Sequence, residues 1–531
     1  MNHRTQSGKN VTAISLCLLC AACTLPAQQP DHAVQNHDDK VWTDSVRPYD
    51  KQRAALLKTV DAEDQSGPFR PDWGSLEHYQ VPTWYQDAKF GIFIHWGLYS
   101  VPSFGNEWYS RNMYIQDTPE FKHHVATYGP QTTFGYKDFI PKFKAEHFDP
   151  HAWAALFHDA GAQYVVPVAE HHDGFPLYNS NLTPWSAAKM GPKRDIVGEL
   201  ATAVRAQGLH FGASTHRAEH YFFMNGGRTF PSDVQDPKYA SFYGPAHAGI
   251  TPGKDEKGHP DPAYLDDWLA RTTEIVQKYK PEIIYFDWWI EQPEFQPYLK
   301  RFAAFYYNDA AARHSTAIIN AKNKTFPPGT AIFDIERGVS DTIRPMLWQT
   351  DTSVSNKSWG YIEDDTFKSP QTIVWQLADI VSKNGNLLLN VGPRPDGTIP
   401  DPIQHILREV GAWLKVNGEG IYGTRPWTVY GEGPTRAAAG SFHDGKDQYT
   451  PEDLRFTKKG TNLYAIALAW PTSGTLTIHT TTKQAAPAKD VTLLGSNTKL
   501  KWTQDATGLT IHLPQQPIGT LAYTFRIALQ P

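Results

Sequence analysis

Beyond Cys23 the chain has no cysteine. The three it has, Cys17, Cys20 and Cys23, sit together near the N-terminus, so no internal disulfide is available to the remainder in any compartment. There is no basic run, and a formal charge of −5 is small for 531 residues; nothing here would hold a nucleic acid. No segment after the N-terminal stretch is long and apolar enough to cross a bilayer as a helix. No glycine-rich phosphate fingerprint follows the first strand, which argues against a dinucleotide fold, and no internal repeat is visible. What is present is a chain longer than one ordinary domain with 17 tryptophans and 25 tyrosines. Many aromatic rings at near-neutral charge suit an uncharged ligand with apolar faces, such as a carbohydrate.

The N-terminus reads as a targeting segment over residues 1–23. Arg4 and Lys9 precede an apolar stretch, residues 11–22, too short to span a membrane. Cys20, Ala21, Ala22 and Cys23 resemble a bacterial lipobox with Cys23 as the acylated residue. Cys20 stands where a leucine is usual, and cleavage near Ala27 is the competing reading. The expectation is export across the inner membrane of a bacterium, to the periplasm or to a lipoprotein whose only membrane contact is an anchor at Cys23.

Residues 24–72 read as a linker with a short helix around 51–60. From 73 to 425, short apolar runs alternate with amphipathic helices. Candidate strands are 90–94, 164–168, 209–212, 283–286, 317–319, 332–333 and 386–389. Leu265, Trp268, Leu269, Thr272, Ile275, Val276 and Tyr279 trace one helical face. Trp153, Leu156, Phe157 and Ala160 trace another, with Asp149 placed to cap it. Apolar strands alternating with helices predict an α/β fold, and seven or eight such strands favour a closed (β/α)8-like TIM barrel. Residues 426–531 change texture, with strands at 463–468, 475–478, 491–494, 509–513 and 522–527 between Gly, Pro, Asn and Asp. They predict a C-terminal antiparallel β-sandwich.

Ile283 to Phe286 read as a short buried strand ending in the carboxylate of Asp287, with Trp288 and Trp289 behind it. An unpaired carboxylate is costly to bury. One placed where a core strand surfaces between aromatic rings points to a working group, though a helix-capping aspartate has the same local sequence. In a barrel of this kind the site forms at the C-terminal strand ends, and polar residues do follow the apolar runs. His95 follows the first, Glu170, His171, His172 and Asp173 the second, and His216 and Arg217 the third. Asp287 ends the fourth, and Asp334, Glu336 and Arg337 follow 332–333. Two chemistries fit. Histidines and an aspartate could hold a metal, although adjacent His171 and His172 cannot easily face one ion and the first strand lacks a His-x-His pair. Alternatively the histidines bind sugar hydroxyls and two carboxylates cleave a glycoside.

Several motifs resemble the α-L-fucosidases of glycoside hydrolase family 29. They are Gly91 to Gly97 around His95; Glu107, Trp108 and Tyr109; His171 to Phe175; Phe286 and Asp287; and Ser382 to Pro393. The likeness covers roughly residues 75–430 and implies a barrel followed by a β-sandwich. It implies a retaining enzyme that acts on terminal α-L-fucosyl residues of oligosaccharides or glycoconjugates, with no cofactor or metal. By position, Asp287 would be the nucleophile; His95, His171 and His172 would bind fucose hydroxyls, and Glu107 and Trp108 would form another part of the pocket. Tyr285 and Trp359 are candidates for the aromatic face against the C5 methyl, with core packing as the alternative for each; Trp288 and Trp289 are read as packing. Many members carry Trp-Glu where this chain has Trp348 and Gln349, and an amide cannot transfer the proton. The segment Asp334 to Gly338 resembles one that holds the acid/base in some bacterial fucosidases, so the role is assigned to Glu336, with a salt bridge to Arg337 as the alternative, and Lys322 stands in for a family arginine. His216, Arg217 and Glu219 replace a common Tyr-Tyr-Ser and are expected to shape the leaving-group side. A non-catalytic glycan-binding surface lipoprotein and a metal-dependent barrel hydrolase are the alternatives.

Overall fold

A computed structural model describes residues 37–247, 258–322, 325–444 and 448–530. The signal and lipobox expectations, and the linker expectation over residues 24–36, lie outside the described residues; from His37 the stretch read as linker is instead helical, His37–Val46, with Trp42 buried. No helix among the described residues is long and apolar enough to cross a membrane.

Eight parallel strands close into a barrel in sequence order: β1 (Phe90–Ile94), β2 (Tyr164–Glu170), β3 (His210–Thr215), β4 (Ile283–Phe286), β5 (Ile318–Lys322), β6 (Ile332–Asp334), β7 (Trp348–Ser353) and β8 (Gly385–Val391). The ring shuts where Phe90 of β1 pairs with Leu387 of β8. Phe93, Tyr164, Val166, Ile283, Tyr285, Ile318, Ile332 and Leu388 pack together as a dry interior layer, so the barrel is a filled core and its chemistry is confined to the rim. The helix expected around 51–60 runs from Asp50 to Ser66 and packs on the barrel helices Pro262–Tyr279 and Gln296–Ala312. Asp149 caps the helix Pro150–Asp159, accepting from the backbone N–H groups of His151 and Ala152 at 2.9 and 3.1 Å.

β7 is not among the strands expected from the sequence, and the reason is physical. Its six residues, Trp-Gln-Thr-Asp-Thr-Ser, are all buried but polar. They are tolerated because partners are built in. Gln349 accepts from the hydroxyls of Tyr85 and Tyr164 at 2.7 and 3.0 Å. Asp351 accepts from Tyr285 at 2.9 Å, and Ser353 accepts from Asn390 at 3.0 Å. Apolarity cannot reveal such a strand. Around it the barrel is irregular: no helix lies among the described residues of the β5–β6 and β6–β7 connections.

The C-terminal module holds a five-stranded antiparallel sheet, ordered β13 (Ala488–Leu493), β16 (Tyr523–Leu529), β11 (Asn462–Ala467), β10 (Leu454–Lys459), β9 (Arg425–Glu432), and a three-stranded one, β12 (Thr475–Ile478), β15 (Leu509–His512), β14 (Lys501–Gln504). Phe456, Leu463, Phe525 and Ile527 of the first meet Ile478, Leu509 and Ile511 of the second, which is sandwich packing. The module is keyed to the barrel helix Pro370–Ser382. Arg455 pairs with Asp379 at 2.5 Å, and the Trp375 indole donates to the Leu468 carbonyl at 2.6 Å.

Candidate active site

The rim side chains converge on a cavity of about 310 Å³, near the lower end of the roughly 300–1,000 Å³ common for ligand pockets. His95, Glu107, Trp108, His171, His172, His216, Asp287, Lys322, Glu336 and Trp359 all line it. Each barrel strand but β7 was read from its apolar run; His95, His171, His172, His216, Asp287 and Lys322 stand where their strands run out into the rim, while Glu107, Trp108 and Trp359 come from longer connections.

Asp287 follows β4 and is held from both sides. His172 Nε2 lies 3.2 Å and His216 Nδ1 3.0 Å from Oδ2, while Lys322 Nζ lies 2.7 Å from Oδ1. Burial alone would raise its pKa, but the Lys322 ammonium and the two imidazoles outweigh it and hold the carboxyl well below the usual range. Asp287 is therefore ionised, and its rotation is fixed. Lys322 ends β5. Burial opposes its charge, yet the carboxylates around it keep it an ammonium. It bridges to Glu336 at 2.6 Å. The two contacts share one nitrogen, so their sum caps the separation of Asp287 Oδ1 and Glu336 Oε2, and that cap is short of the about 6.5–9.5 Å of an inverting carboxyl pair. Glu336 also accepts from the Trp288 indole N–H. Burial pushes Glu336 upward, Lys322 pulls it down, and Asp351 and Asp287 raise it; the net shift is up. One carboxyl is thus held ionised and its neighbour biased toward the acid, the division of labour a proton donor and a nucleophile need.

The histidines are in distinct states. His95 Nδ1 donates to Asn390 Oδ1 at 2.8 Å, because the Asn390 amide NH2 is committed to the Trp359 carbonyl and Ser353 Oγ at 2.7 and 3.0 Å. Burial holds His95 well below its usual pKa, so its Nε2 is an acceptor. His216 is lowered by burial too; its Nε2 meets Ser214 Oγ at 2.8 Å, and its Nδ1 lies 3.0 Å from Asp287 Oδ2. For His172 burial also opposes charge, but Glu219 and Asp287 prevail and raise it; Nδ1 donates to the His216 carbonyl at 2.8 Å. Glu107 accepts from the Trp359 backbone N–H at 2.9 Å, which sets the indole, and Arg337 lies 4.7 Å over that ring.

Four expectations are corrected. Tyr285 is fully buried: β4 does turn it inward on the same face as Asp287, but one layer lower, where its hydroxyl donates to Asp351 at 2.9 Å and cannot meet a ligand. Trp288, read as packing, lines the cavity; Trp289 does pack, 2% exposed. Arg217 does not shape the pocket, because it is drawn into a buried network with Glu170 at 2.5 Å and Asp267 at 2.7 Å. Glu219 lies outside the lining too, 3.8 Å from His172 Nδ1. Gln349, besides being an amide, is fully buried in the layer beneath and bonded to Asp334 at 2.7 Å, so it faces no ligand.

Asp351 was missed because β7 was missed. It lines the cavity floor, 3.5 Å from Lys322 Nζ. Its neighbour Asp334 is pushed well above the usual range by burial and by Asp351 itself.

Among the described residues two triplets bring ligand atoms within 4.8 Å of one another: His95, His171 and His216, and His172, His216 and Asp287. Both include His216, whose Nε2 meets Ser214 Oγ and whose Nδ1 lies 3.0 Å from Asp287 Oδ2. A larger cavity, about 540 Å³, opens on the outer barrel wall against β5, β6 and β7, with Trp73, Phe326, Phe333 and Met346 in its lining. It carries none of this chemistry.

Known proteins match on the same scale. The family model described as alpha-L-fucosidase matches residues 56–419, and that of the alpha-L-fucosidase C-terminal domain matches 446–529. The tissue alpha-L-fucosidases of Bos taurus and Homo sapiens are each 32% identical to this chain, over 86% of it and 90% of their own length. The crystal structure of the Thermotoga maritima alpha-fucosidase in complex with fucose superposes with a TM-score of 0.69 at 30% identity, covering 86% of this chain and all of that one.

Proposed function

The chain belongs to the α-L-fucosidase family of glycoside hydrolases, and we propose that it removes terminal α-L-fucosyl residues by a two-step retaining mechanism. The observation that carries this reading is the single ammonium of Lys322 clamped between Asp287 and Glu336 at 2.7 and 2.6 Å. That spacing leaves no room for the water that an inverting pair holds between carboxyls about 6.5–9.5 Å apart.

In the first step the ionised Asp287 attacks C1 of the fucose from the face opposite the leaving group, while Glu336 protonates the glycosidic oxygen. The product is a β-linked fucosyl ester on Asp287. Lys322 then faces a newly formed Glu336 carboxylate and stabilises it. In the second step Glu336, now a base, takes a proton from water as its oxygen attacks C1, and α-L-fucose leaves with retained configuration. His95 Nε2, His171 and His172 line the fucose end of the cavity and suit hydroxyl recognition, and the Trp359 ring offers an apolar face. The small cavity fits one ring, which supports action at chain ends.

The direct test is release of the aglycone from an aryl α-L-fucoside, followed by NMR of the first-formed sugar. The expected product is the α anomer, at an unchanged rate after EDTA treatment. A β first product, or loss of activity with chelator, would overturn the reading. A glycan binder without catalysis is disfavoured by the intact carboxyl pair, and the same assay decides it.

The charge of Asp351 gives a second prediction. Asp351 raises Glu336, and Glu336 must be protonated for the first step, so kcat/KM falls as pH rises through its pKa. Asp351→Asn removes an anion and leaves Lys322 less compensated, so Glu336 deprotonates at lower pH. The alkaline limb of kcat/KM on a fucosyl disaccharide should move down in pH, with the largest rate loss on that limb. An unmoved alkaline limb would show that Asp351 does not set it.

A further inference from the structure

The C-terminal sandwich contributes one residue to the catalytic cavity. Phe442, on the β9–β10 connection, lines it beside Glu336. The residue is 55% exposed, the most of any large hydrophobic among the described residues, and its backbone sits at φ +64°. A bulky aromatic in the left-handed region, with its ring in solvent, costs stability on both counts, and such costs collect where a surface works.

The segment is pinned rather than draped. Phe442 N–H donates to the Glu336 carbonyl at 3.0 Å, and the N–H groups of His443 and Asp444 both donate to the Arg337 carbonyl at 2.9 Å. Gly440 bridges to Val339, an approach so close that a side chain at Gly338 would meet the Gly440 carbonyl oxygen at 2.1 Å. Asp444 locks the far end onto Lys368 at 2.6 Å and accepts from Thr352. The loop that carries the acid/base and the loop that carries Phe442 are therefore one assembly, although they come from different domains. Residue 442 falls between the two family-matched stretches.

We propose that Phe442 is the platform of the leaving-group subsite, against which the pyranose ring of the sugar bearing the fucose stacks. The inference rests on the fucosidase reading above. Glu336 protonates the glycosidic oxygen, so the leaving sugar emerges on the Glu336 side, and there Phe442 is the exposed ring. The C–H face of a hexopyranose is apolar and stacks on aromatic rings. The sandwich domain then takes part in substrate choice, through a single side chain.

The test compares an α-L-fucosyl disaccharide with α-L-fucosyl fluoride, which has no leaving sugar. In Phe442→Ala, and in Phe442→Leu, which keeps apolar bulk without a ring, the ratio of kcat/KM for the disaccharide to that for the fluoride should drop about tenfold. Phe442→Trp should restore it. Equal losses on both substrates would mean that Phe442 only props the Glu336 loop, and an unchanged ratio in the Ala and Leu variants would mean that no sugar touches it; either result overturns the subsite. A wild type inactive on the fluoride would instead overturn the fucosidase reading, and this inference with it.

Discussion

Asp287→Gly is expected to lower kcat on an aryl α-L-fucoside by roughly 10⁴–10⁶-fold, the scale seen when an activated nucleophile is removed. Three cationic or donor groups point at this one carboxylate: Lys322, His172 and His216. They leave it ionised and oriented, so no neighbour can replace it as the attacking group. Glu336 is the other carboxyl at the clamp, but it is needed as the acid. Added azide should enter the space vacated by the carboxylate, attack from the same face and give β-fucosyl azide. That rescue also serves as a folding control, since a collapsed site would not accept the anion. Asp287→Asn, which keeps the shape but not the charge, should be comparably inactive and should not be rescued, because the amide fills the space azide needs. Retention of more than about a hundredth of wild-type activity in the glycine variant, with no azide product, would remove Asp287 from the nucleophile role; general acid–base groups alone account for losses of about 10²–10⁴-fold.

The barrel was legible where its strands are apolar. Phe90 to Ile94 and Ile283 to Phe286 announce themselves because a strand covered on both faces must be hydrophobic throughout. β7 obeys a different rule: its polar side chains are buried against partners that the fold supplies from afar, such as Tyr85 and Tyr164 for Gln349. No local pattern encodes that, and Asp351 was lost with the strand. The exchange of roles between Tyr285 and Trp288 has a related cause. Strand alternation correctly turns Tyr285 inward, but depth along the barrel axis is set by register with neighbouring strands, Tyr285 lying opposite Ser214 on one side and Asn320 on the other. Trp288, past the strand end, is placed by the turn instead. Arg217 looked like a pocket residue because it follows His216; its guanidinium finds Glu170 and Asp267 instead, and a buried arginine goes where carboxylates compensate it. Phe442 was beyond reach for another reason: its position depends on how the sandwich docks on the barrel.

Glu336→Ala carries the second large effect, and it should depend on the leaving group. For a fucosyl disaccharide, whose leaving alkoxide needs a proton, the loss should be about 10²–10⁴-fold. For an aryl fucoside with a nitro-activated phenol, bond breaking needs little proton transfer, and the first step should fall far less. The second step still lacks its base, so the fucosyl-enzyme should accumulate and a burst should appear. Azide needs no base and should intercept that intermediate from the face the leaving group vacated, giving α-fucosyl azide, the opposite anomer to that from Asp287→Gly. The pair of anomers is what makes the two assignments separable. The variant also frees Lys322 from one of its two closest carboxylates, leaving the ammonium to Asp287 and, at 3.5 Å, Asp351. Asp287 is then bound at least as tightly as before, so nucleophile ionisation is preserved and the deficit reports proton transfer. Asp351 is the other carboxyl on the cavity floor, but it lies behind Lys322 and is 1% exposed. If Glu336→Ala were to cleave disaccharides at the wild-type rate, the proton would have to come from elsewhere and the acid/base role would pass from Glu336.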